Sequence, residues 1–215
     1  MLVVDDGSTD ATLAVAESFV AQHPNVSILK NPHRGKGYAI KSGMLAARGD
    51  YRFMCDADLS MPIEELARFL PPNCERYDIA IGSREGGGAH RYNEPFHRHL
   101  MGRVFNAVVQ LLTVRGITDT QCGFKCFRAE AVEALFPLQR TDGWSFDVEI
   151  LFLAQRRRLR VVEVPIAWHY KKESRVNPLR DTSKMFVETM SIRWNYWMGK
   201  YKVTAGEPRS REQRG

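Results

Sequence analysis

Short apolar runs alternate along this chain with longer segments in which apolar residues recur every three or four positions. The first pattern is typical of buried strands and the second of helices that pack one face on a sheet. Strands are predicted at residues 2–5, 26–30, 51–55, 77–82 and 159–164. Helices are predicted at about 10–22, 37–47, 62–70, 96–113, 129–136, 146–155 and 181–201. Because strands alternate with helices, we expect an α/β fold with a mostly parallel sheet flanked by helices.

Length and composition favour a single domain. The chain has 215 residues and is 44% hydrophobic, which is enough to bury one core. We predict one domain over residues 1–203 and a basic, disordered tail over 204–215. A net charge of +6 indicates a polyanionic partner, such as an anionic lipid surface or a phosphorylated substrate.

Localisation and redox state follow from what the sequence lacks. No apolar run reaches 18 residues and no secretory signal pattern opens the chain, so we expect a cytoplasmic protein. The four cysteines are scattered without a zinc-binding pattern, and we interpret them as reduced thiols. No RNA-binding aromatic signature or recognition helix is present, which predicts no nucleic-acid partner. A homo-oligomer is compatible with the sequence.

Two carboxylates directly follow the predicted strand 51–55. Asp56 and Asp58 fall where open α/β sheets place their ligands, at the carboxyl end of a strand. Such a pair suits Mg²⁺ or Mn²⁺, because Mg²⁺ takes few protein carboxylates and fills its other positions with water and substrate phosphates. The competing interpretation is a loop in which one aspartate caps the next helix.

Further polar segments follow the other strands. Asp5, Asp6 and Ser8 form a turn after the first strand, and Lys36 stands between two glycines at a predicted helix start. Lysine at a helix start suits a phosphate contact, although basic turns are common. Asp147 is a candidate acid/base group, as is Glu149, for which charge stabilisation of a helix N-terminus is the better interpretation.

Two helical segments have the composition of a membrane interface. Residues 96–113 combine an apolar stripe with arginines, and the predicted C-terminal helix 181–201 is amphipathic and rich in tryptophan, tyrosine and lysine. Simple packing of these helices on the sheet explains the same pattern equally well.

Together these segments resemble the family 2 glycosyltransferases of the GT-A fold, a Rossmann-like fold. Within that family, the chain is most similar to dolichyl-phosphate and polyprenyl-phosphate glucosyl- and mannosyltransferases. The segments that carry the resemblance are Val3-Val4-Asp5-Asp6-Gly7-Ser8-Thr9-Asp10, Arg34-Gly35-Lys36-Gly37, Asp56-Ala57-Asp58-Leu59-Ser60, Gly82-Ser83-Arg84, Asp119-Thr120-Gln121-Cys122-Gly123-Phe124-Lys125 and Ser174-Arg175-Val176-Asn177-Pro178.

The resemblance implies an inverting, metal-dependent hexosyltransferase. It would move a hexose from UDP-glucose or GDP-mannose to a polyprenyl or dolichyl phosphate, as a peripheral protein at the membrane surface. The implied nucleotide-binding residues are Asp5, Asp6, Ser8, Lys36 and Asp56, and the implied metal ligands are Asp56 and Asp58. Candidates for the acceptor phosphate are Arg84, Gln121, Lys125, Arg128 and Arg175, since guanidinium forks suit phosphate oxygens.

The chain departs from the family at its start. Members begin with a strand ending in a Pro-x-Tyr-Asn-Glu-like motif, one strand and one helix before the segment at Asp5. We therefore expect the first strand to be missing and the domain to be truncated at its N-terminus. Ser60 stands where some relatives carry a third ligand on the metal side.

Two alternatives remain open for the function. The same fold can transfer sugar to a saccharide hydroxyl, with Asp147 as the general base. A non-catalytic module that binds a nucleotide sugar or anionic lipid would fit the basic charge and the missing strand. Retention of Asp5, Asp6, Asp56 and Asp58 together opposes that second alternative.

Overall fold

The computed structural model describes residues 1–58, 60–170 and 178–202. Within these ranges it describes the backbone alone for residues 96–98, 100, 101, 105 and 178–183. The Arg175 segment and the predicted tail at 204–215 lie outside the described residues, so the role of Arg175 and the disorder of the tail stay predictions.

Eight strands and six α-helices make up the described part of the chain. The strands are β1 (Leu2–Asp5), β2 (Ser27–Lys30), β3 (Tyr51–Cys55), β4 (Ile79–Ser83), β5 (His90–Tyr92), β6 (Phe124–Arg128), β7 (Val161–Pro165) and β8 (Ala167–His169). The helices are α1 (Thr12–Gln22), α2 (Lys36–Ala46), α3 (Phe96–Leu112), α4 (Ala129–Leu135), α5 (Phe146–Arg156) and α6 (Pro178–Trp197). Two 3₁₀ segments, Ile63–Phe69 and Phe136–Leu138, complete the elements.

The central sheet has the order β3-β6-β4-β7. β4 and β7 run parallel, whereas β6 lies between β3 and β4 and is antiparallel to both. β1 pairs in parallel with β2, and β5 pairs in parallel with β8. The predicted α/β class with flanking helices is confirmed, and most strand pairings are parallel. Strands β5, β6 and β8 were not predicted from the sequence.

A space separates the β1-β2 pair from the central sheet. Within the described residues, β1 pairs only with β2, and β3 pairs only with β6. Helix α2 packs across both strands: its Gly43 lies against Val4 of β1, and the Met44 carbonyl accepts a hydrogen bond from Arg52 of β3. The facing edges of β1 and β3 therefore lie beneath one helix without a strand pairing between them in the described chain.

The central sheet separates two apolar cores, because its side chains alternate between faces. On one face, Ile79 and Ile81 of β4 join the buried side chains of α4 and α5. On the other face, Phe53 and Phe124 meet Phe69 of the first 3₁₀ segment, with ring centroids 4.4–5.5 Å apart. Helix α5 is buried from Phe146 to Ala154, so it fixes the position of the loop before it.

Candidate active site

A cleft of about 3310 Å³ runs along the space between β1 and β3 and extends to the carboxyl ends of β1, β3 and β4. This is the edge at which open α/β sheets bind ligands. It collects predicted site residues from distant parts of the sequence, and its walls include Asp6, Lys36, Asp56, Asp58, Arg84, Gln121, Trp144 and Asp147.

The turn after β1 is organised by its own carboxylates. Asp5 accepts hydrogen bonds from the amides of Gly7 and Ser8 and from the Ser8 hydroxyl. The Ser8 hydroxyl bond is the main reason that the pKa of Asp5 lies below its usual value. Asp6 accepts hydrogen bonds from the amides of Arg34 and Gly35, and these bonds hold the turn against the loop before α2. These contacts give Asp5 and Ser8 a role in shaping the turn; their predicted contact with nucleotide stays a prediction.

The loop before α2 is pressed against a second loop, at residues 139–145. Gly35 has φ +125°, and a Cβ there would lie 2.6 Å from the Asp142 carbonyl oxygen. Only glycine accepts this combination of dihedral angle and close approach. Arg34 adds an ion pair with Asp142 at 2.6 Å. The two loops thus hold Lys36 at the cleft.

Lys36 and Asp56 form an ion pair in the wall of the cleft. The lysine Nζ lies 2.8 Å from each carboxylate oxygen, and both side chains are about a quarter exposed. Gly123 lies directly behind Asp56. A Cβ on Gly123 would lie 2.0 Å from Asp56 Oδ2, so the absence of a side chain there makes room for the carboxylate.

Asp58 completes the predicted metal pair. It is exposed two residues beyond Asp56, and its Oδ1 accepts the Ser60 amide at 2.9 Å, which leaves its other oxygen facing solvent or ligand. No group of three or more acidic, histidine or cysteine ligands occurs among the residues that the structure describes. Two carboxylates in the wall of the cleft fit Mg²⁺ or Mn²⁺ when Lys36 leaves Asp56 and substrate phosphates supply further oxygens.

Asp147 forms a buried ion pair with Lys125. The Lys125 Nζ lies 2.6 Å from Asp147 Oδ1 and also donates to the Cys122 carbonyl oxygen. Burial raises the pKa of Asp147, and the nearby ammonium groups of Lys125 and Lys36 offset part of that rise. Lys125 is 1% exposed and does not line the cleft, and its charge is paired with Asp147, so the structure does not place it where it could contact an acceptor phosphate as the sequence predicted.

Glu149 has a structural role, but its hydrogen bonds are to a loop and a tyrosine and not to the amides of the helix N-terminus, which was the interpretation that the sequence favoured. Its carboxylate is fully buried and accepts the amides of Arg140 and Thr141 and the hydroxyl of Tyr201. It therefore holds the loop 139–145 next to Tyr201, which follows α6.

Only some of the residues predicted to bind the acceptor phosphate lie together in the cleft. Arg84 lines the cleft, but its guanidinium binds Asp119 through two hydrogen bonds of 2.7 and 2.8 Å. Burial would raise the pKa of Asp119, but the Arg84 guanidinium outweighs it and holds this pKa low. Gln121 also lines the cleft. Arg128 lies at the opposite end of β6, since Arg128 pairs with Tyr51 and Phe124 with Cys55, a separation of about 14 Å.

Two cleft features were missed by the sequence reasoning. Trp144 is exposed in the cleft wall, and Asp119 binds the guanidinium of Arg84. A tryptophan next to a glycine just before a helix was the available signal for the first. No local signal identifies Asp119, because its partner is 35 residues away.

Solved structures with low sequence identity share this fold. Glucosyl-3-phosphoglycerate synthase from Mycobacterium tuberculosis, in complex with Mn²⁺, UDP-glucose and glycerol 3-phosphate, aligns with a TM-score of 0.62 at 18% identity. The alignment covers 89% of this chain and 68% of that one. Mannosyl-3-phosphoglycerate synthase from Rubrobacter xylanophilus aligns with a TM-score of 0.62 at 21% identity. That alignment covers 96% of this chain and 66% of the synthase. These likenesses confirm the GT-A fold.

Curated relatives are more similar in sequence. Dolichyl-phosphate beta-glucosyltransferase of Dictyostelium discoideum is 35% identical over 216 residues, covering 94% of this chain and 65% of the relative. The proteins of the same name from Saccharomyces cerevisiae and Homo sapiens are 34% and 32% identical, each with 94% of this chain and 66% of the relative covered. The chain thus spans about two thirds of the length of these relatives.

The sequence model for Glycosyl transferase family 2 matches residues 1–136. The match includes β1, the Lys36 loop, the Asp56 and Asp58 pair and β6, whereas the part of the cleft wall formed by the loop 139–145, α5 and α6 lies beyond it. The chain therefore belongs to glycosyl transferase family 2.

Proposed function

We propose that this chain transfers glucose from UDP-glucose to a dolichyl or other polyprenyl phosphate, with the help of a divalent cation. The observation that carries the proposal is the pair Asp56 and Asp58 at the end of β3, in a cleft that also holds Lys36. The names of the curated relatives support the acceptor and the sugar, and the Mycobacterium tuberculosis structure supports UDP-glucose and Mn²⁺.

The charge arrangement suits a sugar diphosphate. The diphosphate carries negative charge that increases as the sugar leaves, and Lys36 is the cation that the cleft already places there. A Mg²⁺ or Mn²⁺ held by Asp56 and Asp58 would act as a Lewis acid on the diphosphate oxygens. Without a ligand, the Lys36 ammonium neutralises Asp56, and we propose that it turns to the diphosphate when the donor binds.

In the proposed reaction, an acceptor phosphate oxygen forms a bond with the anomeric carbon of glucose. The bond from that carbon to the β-phosphate oxygen breaks, and UDP leaves with the electron pair. Inversion follows because the attack comes from the side opposite the departing diphosphate. The acceptor oxygen is ionised near neutral pH, so no proton has to be removed, and positioning supplies much of the acceleration.

The state of Asp147 favours a phosphate acceptor over a saccharide hydroxyl. A hydroxyl needs a general base within hydrogen-bond reach, and Asp147 is 4% exposed and already paired with Lys125. Arg84 and Gln121, at the cleft wall, are the described candidates for holding the acceptor phosphate. Arg84 would have to share its guanidinium between Asp119 and the acceptor.

Helix α6 provides a surface that suits a membrane. Its buried face carries Met185, Thr189 and Ile192, and the opposite face exposes Val187, Met190, Trp194 and Trp197. Exposed Val104 and Leu111 lie on α3, which contacts α6. We define these six exposed side chains as the outer apolar face. No helix in the described ranges is long and apolar enough to span a bilayer.

We propose that the outer apolar face lies in the interfacial layer of a membrane that contains the acceptor. Tryptophan favours this layer, and the neighbouring Arg193, Lys200 and Lys202 complement anionic headgroups. Both α3 and α6 also contribute to the cleft wall, so the acceptor phosphate would enter from the same side.

A further strand between β1 and β3 is also part of the proposal. The two facing edges are unpaired within the described residues, and apolar side chains such as Val3, Met44 and Phe53 line the space. A strand there would pair on both sides and would end at the same edge as Asp5 and Cys55, beside the donor site. We assign this position to a segment upstream of Met1.

The experiment compares thermal unfolding with UDP, GDP or UDP-glucose, each with and without Mn²⁺. A ligand that binds only the folded state raises the melting temperature, and we expect the largest rise for UDP-glucose with Mn²⁺. Asp58→Asn should abolish the part of the rise in melting temperature that depends on Mn²⁺. Glu64→Gln, an exposed carboxylate on the neighbouring 3₁₀ segment, is the matched control. A full metal-dependent rise in Asp58→Asn would show that the proposed coordination is wrong.

A transfer assay distinguishes the acceptors. Radiolabelled UDP-glucose is offered to dolichyl phosphate and, separately, to a soluble saccharide. We expect label on the lipid alone. Label on the saccharide alone would identify the hydroxyl-transfer alternative, and nucleotide binding without any transfer would indicate the binding module.

A further inference from the structure

Trp144 is a large aromatic side chain that the fold leaves exposed inside the cleft. It stands in the loop 139–145, just before α5, and 38% of it is exposed. Its neighbours Ser145 and Phe146 are buried. Exposure of the ring is therefore specific to this position and is not a property of the whole segment.

The backbone on both sides of Trp144 is held in place. The Ser145 amide donates to Glu188 of α6, and the Gly143 backbone lies so close to Glu188 that an added Cβ would be 2.3 Å from its Oε1. Upstream, the amides of Arg140 and Thr141 donate to Glu149. Hydrogen bonds therefore hold the loop that carries Trp144 in one conformation. A ligand that binds Trp144 loses little free energy to ordering this loop.

The ring stands next to the charged end of the proposed donor site. Lys36 Nζ lies 5.1 Å from the ring centroid and at the same time pairs with Asp56. The cation–π contact uses the electron-rich face of the indole. That face becomes available to another group when Lys36 turns to the diphosphate.

We propose that Trp144 is the platform on which the hexose of the sugar nucleotide stacks. This inference rests on the proposed function, since it assumes a sugar nucleotide in the cleft. The hexose is bonded to the distal phosphate of the donor, so it must lie close to the groups that hold the diphosphate, and Trp144 borders them. The C–H face of a hexose carries partial positive charge and complements the face of the indole. Trp144 is then a specificity-determining residue for the sugar and not for the nucleotide.

The test compares the affinities of UDP and UDP-glucose, both with Mn²⁺, by titration calorimetry. Trp144→Ala should weaken the affinity for UDP-glucose about fivefold to tenfold and leave the affinity for UDP within about twofold, because only UDP-glucose carries the hexose that stacks on the ring. Trp144→Phe should recover most of the loss. Phe19→Ala, which removes an exposed aromatic side chain from α1 outside the cleft, is the matched control and should change neither affinity.

Three other results would overturn the inference. Equal weakening of UDP and UDP-glucose would place the ring against the nucleotide, and unchanged affinity for both would leave Trp144 without a binding role; in either case the proposed function stands. If the wild-type protein binds neither ligand, the proposed function fails together with the inference. Melting temperatures of the variants, measured without ligand, separate loss of binding from loss of fold.

Discussion

The ammonium of Lys36 lies 2.8 Å from both carboxylate oxygens of Asp56, at the point where β3 ends. A lysine thus occupies one side of a carboxylate that we propose as a metal ligand. Since both groups are partly exposed, we expect the pair to contribute no more than about 1 kcal/mol to the free energy of unfolding. Binding of a metal ion and a diphosphate can therefore break it at little cost.

Removal of the Lys36 charge should strengthen metal binding in the absence of nucleotide. Lys36→Met leaves the Asp56 and Asp58 carboxylates without a competing cation, so we expect the affinity for Mn²⁺ to rise about threefold to fivefold. Free Mn²⁺, measured by electron paramagnetic resonance, gives the affinity. Lys36→Arg keeps the charge and should stay near the wild-type value. An unchanged affinity of Lys36→Met for Mn²⁺ would show that Asp56 is not a metal ligand.

Loss of the buried partner of Asp147 should strongly destabilise the fold. Lys125→Met leaves a buried carboxylate without its counter-charge, and we expect a loss of about 3–5 kcal/mol in the free energy of unfolding measured in urea. Lys125→Met combined with Asp147→Leu should lose less than the sum of the single changes. Lys30→Met, at the exposed pair with Glu17, should lose less than about 1 kcal/mol. Additive losses at Lys125 and Asp147 would show that the two charges are not coupled.

Polar substitutions on the outer apolar face should weaken membrane binding. Trp194→Ser with Trp197→Ser should lower binding to vesicles of phosphatidylcholine and phosphatidylserine about tenfold, because both side chains lose apolar area available for burial. High salt should release the wild-type protein, as charge contributes part of the attraction. Sedimentation with the vesicles measures both effects.

The matched control for that prediction is Val15→Ser with Phe19→Ser, which removes two exposed apolar side chains from α1. It should leave vesicle binding unchanged. If the tryptophan variant retains vesicle binding but loses self-association, the outer apolar face is instead an interface between copies of the chain.

Upstream residues that supply a strand between β1 and β3 should stabilise the protein. Pairing on both sides and burial of the apolar lining should raise the melting temperature by about 5 °C or more. Hydrogen exchange should also show new protection of the β1 and β3 amides. The control carries prolines in the centre of the added strand, which prevent pairing. Equal behaviour of the two extended chains would rule out a strand at this position.

The sequence by itself determined β1, β2, β3, β4 and β7 and the location of the carboxylates, but not β6 in the centre of the sheet. Periodicity is local, so a run such as 51–55 indicates its strand without reference to the rest of the chain. Asp56 and Asp58 follow that strand directly, and strand ends converge at one edge of an α/β sheet.

The tertiary structure alone decided which charges meet. Lys125 pairs with Asp147, Arg84 with Asp119 and Lys36 with Asp56, at separations of 20 to 35 residues that no local pattern encodes. Lys125 reaches Asp147 because β6 inserts antiparallel between β3 and β4 and directs that side chain toward α5. The same packing buries α5 and leaves Trp144 exposed in the cleft. Such pairings depend on the positions of whole elements in the core, and those positions are fixed by burial across the entire domain.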